Sequence, residues 1–224
     1  MEVLRTLRHE FKYVMPYEDT LRLRMKLNDL LEIDRSESGY MIRSLYFDSL
    51  DDEDYYSKQN GDIDRKKIRL RIYEANPSKV KLEIKKKHDI HQLKESLVIS
   101  VSDAKELIRG NYNILLNYEE EVAKEIYLIL TLGNYKPKVI IEYQRIAYIT
   151  GTTTRITFDY DIKRSYDFEN YFDEFINYVP VVLKDDIVLE VKYDRFLEPY
   201  ISDVINNYVT RSQSVSKYIM SRNF

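Results

Sequence analysis

Residues 67–73 read KIRLRIY, and in an extended chain that alternation sets Lys67, Arg69 and Arg71 on one face and Ile68, Leu70 and Ile72 on the other. The same two-residue period recurs elsewhere. RHEFKY sets Arg8, Glu10 and Lys12 opposite Phe11 and Tyr13, and KVKLEIKKK sets Lys81, Glu83, Lys85 and Lys87 opposite Val80, Leu82 and Ile84. LEVKY sets Glu190 and Lys192 against Leu189, Val191 and Tyr193, while Tyr143 with Arg145, and Arg155 with Thr157 and Asp159, share faces in two further segments. Taken singly, each polar face is the wet side of a half-exposed antiparallel sheet. Taken together they place Arg and Lys at strand centres, where like charges lie across from one another and repel. Turned inward, such faces need an anion of high charge density. Arg brings a planar fork and Lys a compact point charge, a pairing suited to gripping several phosphates. The acids on these faces, Glu10, Glu83, Asp159 and Glu190, offer hard oxygens to Mg²⁺ or Mn²⁺ bridging phosphate oxygens.

The elements that carry these residues are legible from pattern and punctuation. Strands are predicted over 7–14, 41–49, 65–75, 79–87, 91–100, 138–150, 153–165 and 187–195, with Asn76-Pro77-Ser78 and Gly151 as hairpin turns. Pro16 starts a helix that Leu21, Leu23, Leu27, Leu30 and Leu31 carry to about residue 32. Residues 51–62 form a short helix or turn ending at Asn60-Gly61, and the DDED run is a solvated helix start. Ser102 caps a helix closed by Gly110, a second helix stops at Gly133, and residues 201–220 form a C-terminal helix. Eight strands with few helices predict an α+β fold, an antiparallel barrel or a sandwich-like sheet.

Composition bounds what such a sheet can serve. The 224 residues are 44% hydrophobic with 21 Tyr and 8 Phe, enough for one core, so residues 1–224 are expected to be a single domain. The tyrosines are read as packing rather than as a base-stacking platform. No run reaches the roughly 20 apolar residues of a membrane span, and the N-terminus lacks a secretory-leader pattern. With no Cys, the expectation is a cytoplasmic protein without disulfides or thiolate metal sites. His9, His88 and His91 make no zinc cluster, and HDIH reads as solvated loop. The 35 Lys and Arg against 38 Asp and Glu give −3, which does not favour a nucleic-acid partner.

The order RHEFKY, SLYFDS, KIRLRIY, LEIKKK, EYQRIAY, RITFD, LEVKY and SVSKY resembles the VTC (vacuolar transporter chaperone) domain, the polyphosphate polymerase branch of the triphosphate tunnel metalloenzymes, from residue 5 to about 221. The resemblance implies an eight-stranded antiparallel tunnel with helices outside and a C-terminal helix at one end, in which ATP and a growing polyphosphate chain are the partners. It implies catalytic phosphate contacts from Lys12, Arg69, Arg71, Lys85, Arg145 and Arg155, with Tyr143 beside them and Glu190 as principal ligand of Mn²⁺ or Mg²⁺. Ser214 or Ser216 with Lys217 resembles the motif that closes one tunnel end, and Arg8, Glu10, Lys87, Lys94 and Lys192 are further lining, Glu10 as a second metal ligand. The wider superfamily opens on two alternating glutamates, whereas this chain has Arg8 in the first place and keeps Glu10, which resembles the polymerase branch. A tripolyphosphatase or nucleoside triphosphatase using the same tunnel, and a polyphosphate or nucleotide sensor without turnover, are the alternatives. No membrane insertion is expected, and a membrane partner is left open.

Overall fold

Alternation along the strands becomes a division between two faces of an antiparallel sheet. The computed structural model describes residues 8–89, 91–151, 154–181, 186–209 and 211–222. In chain order these carry β1 (Arg8–Pro16), α1 (Tyr17–Asn28), β2 (Glu32–Asp34), β3 (Tyr40–Asp48), α2 (Glu53–Asn60), β4 (Asp64–Ile72), β5 (Val80–His88) and β6 (His91–Ile99). There follow α3 (Val101–Arg109), a 3₁₀ turn (Tyr112–Asn117), α4 (Glu121–Leu132), β7 (Lys136–Thr150), β8 (Thr154–Ser165), β9 (Val179–Pro180), β10 (Asp186–Asp194), α5 (Pro199–Asn206) and α6 (Lys217–Arg222). The chain divides into two compact units, each assembled from three stretches: Met1–Met41, Tyr143–Ile162 and Val182–Ser216 in the first, and Ile42–Glu142, Lys163–Val181 and Lys217–Phe224 in the second.

In the first unit the strands are ordered β1, β10, β8, β7, with β2 paired to β7. Register is what assembles the polar face: Lys12 lies opposite Glu190 and Glu190 opposite Thr157, while Glu10 lies opposite Lys192 and Lys192 opposite Arg155. The intervening residues, Val191, Leu189, Ile156 and Phe158, face the other way and pack with Leu23 and Leu27 of α1 and Ile201 and Ile205 of α5. Pro16 ends β1 in an extended conformation, and Glu18 and Asp19 in the first turn of α1 complement its dipole.

In the second unit β3, β4, β5 and β6 pair in chain order. Their apolar face, including Leu45, Phe47, Ile68, Leu70, Ile72, Leu82 and Ile84, is covered by Ala104 and Leu107 of α3 and Ala123, Ile126 and Leu130 of α4. Ile68, Leu70 and Ile72 are thus the helix-covered side of KIRLRIY, as expected. β9 pairs with the end of β8 through Arg164 and Val179.

Ten strands replace the expected eight among the described residues, because β2 and β9 are three and two residues long and too short to show a period. The antiparallel sheet with helices is as expected; its strand order runs from β1 to β6, with no pairing between those two among the described residues. Ser100, not Ser102, caps α3, accepting from the Asp103 amide. The expected C-terminal helix is two short ones, α5 and α6, parted by a stretch without helix in its described residues. DDED is not a wholly solvated start: Asp54 is 1% exposed, its Oδ1 taking the Tyr135 hydroxyl at 2.9 Å. No helix among the described residues is long and apolar enough to cross a membrane.

Candidate functional site

The polar face of the first unit is a buried ion cluster built on β1, β10, β8 and β7. Glu190 is its centre, with Oε1 3.2 Å from the Lys192 ammonium and 3.4 Å from that of Lys12, and Oε2 3.8 Å from the Arg145 guanidinium. Lys12 also holds Glu10 at 2.8 Å, and Arg145 forks onto Asp159 through Nε at 2.6 Å and Nη2 at 2.7 Å. Burial alone would raise the Glu190 carboxyl, but Lys192, Lys12 and Arg145 hold it well below the ordinary range, so it is anionic at neutral pH. Burial works against the charge on Lys12 too, and Glu190 and Glu10 overcome it, keeping the ammonium above its usual value. For Lys192 burial prevails and its value falls. Arg145 lies over the Tyr143 ring, 5.3 Å from its centroid. Its backbone is approached closely by Gly39, where a Cβ would come within 2.6 Å of the Arg145 carbonyl oxygen and φ is +80°.

Two carboxylates, Glu10 and Glu190, therefore converge on one ammonium. That donor set fits a hard divalent cation, which takes one or two carboxylates and completes its shell with phosphate oxygens and water. No cluster of three or more His, Cys, Asp or Glu side chains able to hold a metal occurs among the described residues.

The polar face of the second unit is built the same way around Glu83, 2% exposed on β5. Arg69 reaches it through Nε and Nη2, both at 2.7 Å, Lys94 at 2.5 Å and Arg71 at 3.8 Å. Burial would raise Glu83, yet Arg69, Arg71 and Lys94 bring it down to about 2. Arg71 is 9% exposed and donates to Ser44 at 3.2 Å, and Arg69 donates to the Tyr46 hydroxyl at 2.9 Å. Neither arginine points into bulk solvent. One rung along, Lys67 lies opposite Lys85 and Lys85 opposite Lys94, a row of like charges that an ordinary wet face avoids.

The VTC domain family model matches residues 7–224. The chain belongs to the VTC domain family. Three solved structures are similar to this VTC domain: the PH1819 protein from Pyrococcus horikoshii OT3 (15% identity, 95% of this chain and 97% of that chain, TM-score 0.47), a proposed adenylate cyclase from Vibrio parahaemolyticus (15%, 91% and 85%, 0.43) and the Schizosaccharomyces pombe Mediator head module (9%, 89% and 90%, 0.48). No curated protein sequence matches it.

Of the residues expected to serve phosphate in this VTC domain, Lys12, Arg145 and Lys192 meet in the first unit, with Tyr143 against Arg145, and the two expected metal ligands, Glu10 and Glu190, lie among them. Arg155 is placed by a partner the sequence reading missed: its Nη2 lies 2.6 Å from Asp34 on β2 and 2.9 Å from the Tyr40 hydroxyl. Arg69, Arg71 and Lys94 meet in the second unit, and Lys85 and Lys87 share the face of β5 that carries Glu83. Ser216 is buried, Ser214 exposed, and Lys217 half-buried as the first residue of α6. The Arg8 side chain lies outside the described residues. Ser44 and Tyr46 of β3 were also missed, although the alternation of SLYFDS, with Ser44, Tyr46 and Asp48 on one face, carried the signal.

Proposed function

We propose that this VTC domain is an ATP-dependent polyphosphate polymerase. The terminal phosphate of a chain attacks the γ-phosphorus of ATP, the bond from that phosphorus to the β–γ bridging oxygen breaks, and ADP leaves. The observation that carries this reading is the convergence of Lys12, Lys192 and Arg145 on an anionic Glu190 within a buried strand face. Phosphoryl transfer needs in-line placement and neutralisation of spread negative charge more than a covalent residue. An ionised phosphate is already a nucleophile, so fixed cations supply most of what the step requires. Lys12, Arg145 and Arg155 in the first unit, and Arg69, Arg71 and Lys85 in the second, are the phosphate contacts, with Lys87, Lys94, Lys192, Tyr143 and the Ser214–Lys217 stretch as further contacts. Glu190 and Glu10 would hold Mg²⁺ or Mn²⁺, which when bound draws charge from phosphate oxygens. The tunnel implied by the family is part of the proposed architecture. ATP as donor agrees with a cytoplasmic setting.

Incubation with ATP and Mn²⁺ tests the reading: polymer with ADP supports it, orthophosphate without polymer points to the hydrolase, and binding without turnover points to a sensor. Arg145→Ala, Arg71→Ala and Glu190→Ala are each expected to slow polymer formation on the order of 10²–10³-fold, the usual cost of one preorganised electrostatic group. Rates near wild type in all three would overturn it.

A further inference from the structure

β3 brings a tyrosine to the basic face of the second unit that no expectation covers. Tyr46 is 8% exposed and lies opposite Arg69 in the β3–β4 register. Its ring is clamped by Tyr218 of α6, stacked with centroids 5.2 Å apart, and Tyr218 is in turn fixed by donating its hydroxyl to Asp48 at 2.5 Å. The Tyr46 hydroxyl accepts from Arg69 at 2.9 Å, and that is its one hydrogen bond among the described residues. Its own proton is therefore available to an acceptor arriving from outside the chain. The groups that face it are cationic on β4 (Lys67, Arg69, Arg71), while β5 contributes Glu83, bound to Arg69, β3 contributes Asp48, and α6 contributes Tyr218 with Arg222 at 3.4 Å from the Tyr218 hydroxyl. Burial pushes the Tyr46 phenol up, but Arg69, Arg71 and Lys67 outweigh it and bring it down to about 8.

We propose that Tyr46 is a phosphate ligand of this face, donating its hydroxyl proton to an oxygen of an anion held by Arg69 and Arg71, so that anion binding is tied to the protonation of one tyrosine. This rests on the reading of the domain as a polyphosphate-binding protein and adds a residue and a pH dependence to it. The sign follows from charge. A bound phosphate neutralises the cations that favour the phenolate, so the phenol keeps its proton to higher pH; conversely, a phenolate repels the phosphate and takes away the donor. Affinity should fall as pH rises through about 8.

The test uses the full chain with sodium tripolyphosphate as probe, following the near-ultraviolet tyrosinate band against pH. In wild type, one of the 21 tyrosines should ionise near pH 8, this step should be missing in Tyr46→Phe, and tripolyphosphate should move it upward. Tyr46→Phe keeps the ring stacked on Tyr218 and removes only the hydroxyl. It should bind tripolyphosphate roughly tenfold more weakly at neutral pH, the usual worth of a hydrogen bond to a charged group. Its affinity should not share the extra decline above pH 8, the ligand's own ionisation being common to both proteins. Arg69→Gln should return the step toward the ordinary tyrosine value of 10.0. A step that ignores tripolyphosphate, or a Tyr46→Phe protein that binds as wild type at every pH, overturns the proposal. Because no turnover is needed, a tyrosine that responds without polymer formation sinks only the polymerase reading, whereas polymer formation with a silent Tyr46 sinks only this one.

Discussion

Glu83 shows why single residues on these faces are consequential. A buried carboxylate in contact with two arginines and a lysine does not report net stabilisation, because each charge gave up water to be there. Removing one partner is the costly change, since it strands the others. Glu83→Gln, nearly the same size, is expected to destabilise the domain by about 3–5 kcal/mol at neutral pH, read by urea unfolding. The carboxyl titrates at about 2 when folded and near 4.5 when unfolded, so its contribution is present above 4.5 and is lost as pH falls toward 2. The variant should therefore lose less stability than wild type across that acid window; an equal loss would show that Glu83 is not held down by its cations. Arg69 and Arg71 were legible as a pair from spacing alone, but the shared carboxylate was not, because Glu83 reaches them only once β4 and β5 settle into register.

At the scale of elements, most strands and helices follow from period, turn residues and caps, and the failures have local causes. Ser100 outcompetes Ser102 as a cap because its hydroxyl accepts the Asp103 amide. β2 and β9 borrow their hydrogen bonds from long neighbours and leave no pattern of their own. The start of α2 carries a buried carboxyl that makes it sensitive to pH. Asp48 accepts from the amides of Asp54 and Tyr55, and Asp54 is buried next to it, with Lys66 at 3.3 Å. Burial is the largest cause, and with the Asp48 charge it outweighs Lys66 and Tyr135, raising the Asp54 carboxyl to about 7. A raised acid favours the folded state fully below its unfolded value of 3.8 and loses that advantage as pH rises through 7. Asp54→Asn should therefore gain stability relative to wild type between pH 5 and 8, by up to a few kcal/mol at about 1.4 kcal/mol per tenfold change in acidity. Thermal unfolding across that range checks it, and a difference that does not vary with pH would refute the assignment.

At the scale of the whole molecule, neither compact unit is a continuous segment. The core of the second unit takes Tyr171 and Phe172 from a stretch well after α4, and α6 supplies Tyr218 to the Tyr46 stack. A fragment of residues 42–142 contains the β3–β6 sheet but for the first two residues of β3, yet lacks these side chains. It is expected not to fold cooperatively, giving poorly dispersed amide resonances and no sharp unfolding transition. A well-dispersed spectrum would show that β3–β6 and its helices suffice. The expectation of one uninterrupted domain over 1–224 came from the absence of linkers and repeats, and the family match over 7–224 spans both units.

By itself the sequence determined the alternation, and with it the sides of the strands that would be apolar, the places where most helices begin and end, and the family. All but the family are local properties, each depending on residues within a few positions of one another; the family rests on the order of eight such motifs along the chain. Only the tertiary structure decided which charges meet: Glu190 with Lys12, Lys192 and Arg145, Glu83 with Arg69, Arg71 and Lys94, Arg155 with Asp34, and Tyr46 with Arg69. Apart from Lys192, which shares β10 with Glu190, these partners lie on different strands, so their encounter is set by strand register and order. Those follow from the burial of whole apolar faces, and no short stretch of sequence encodes them.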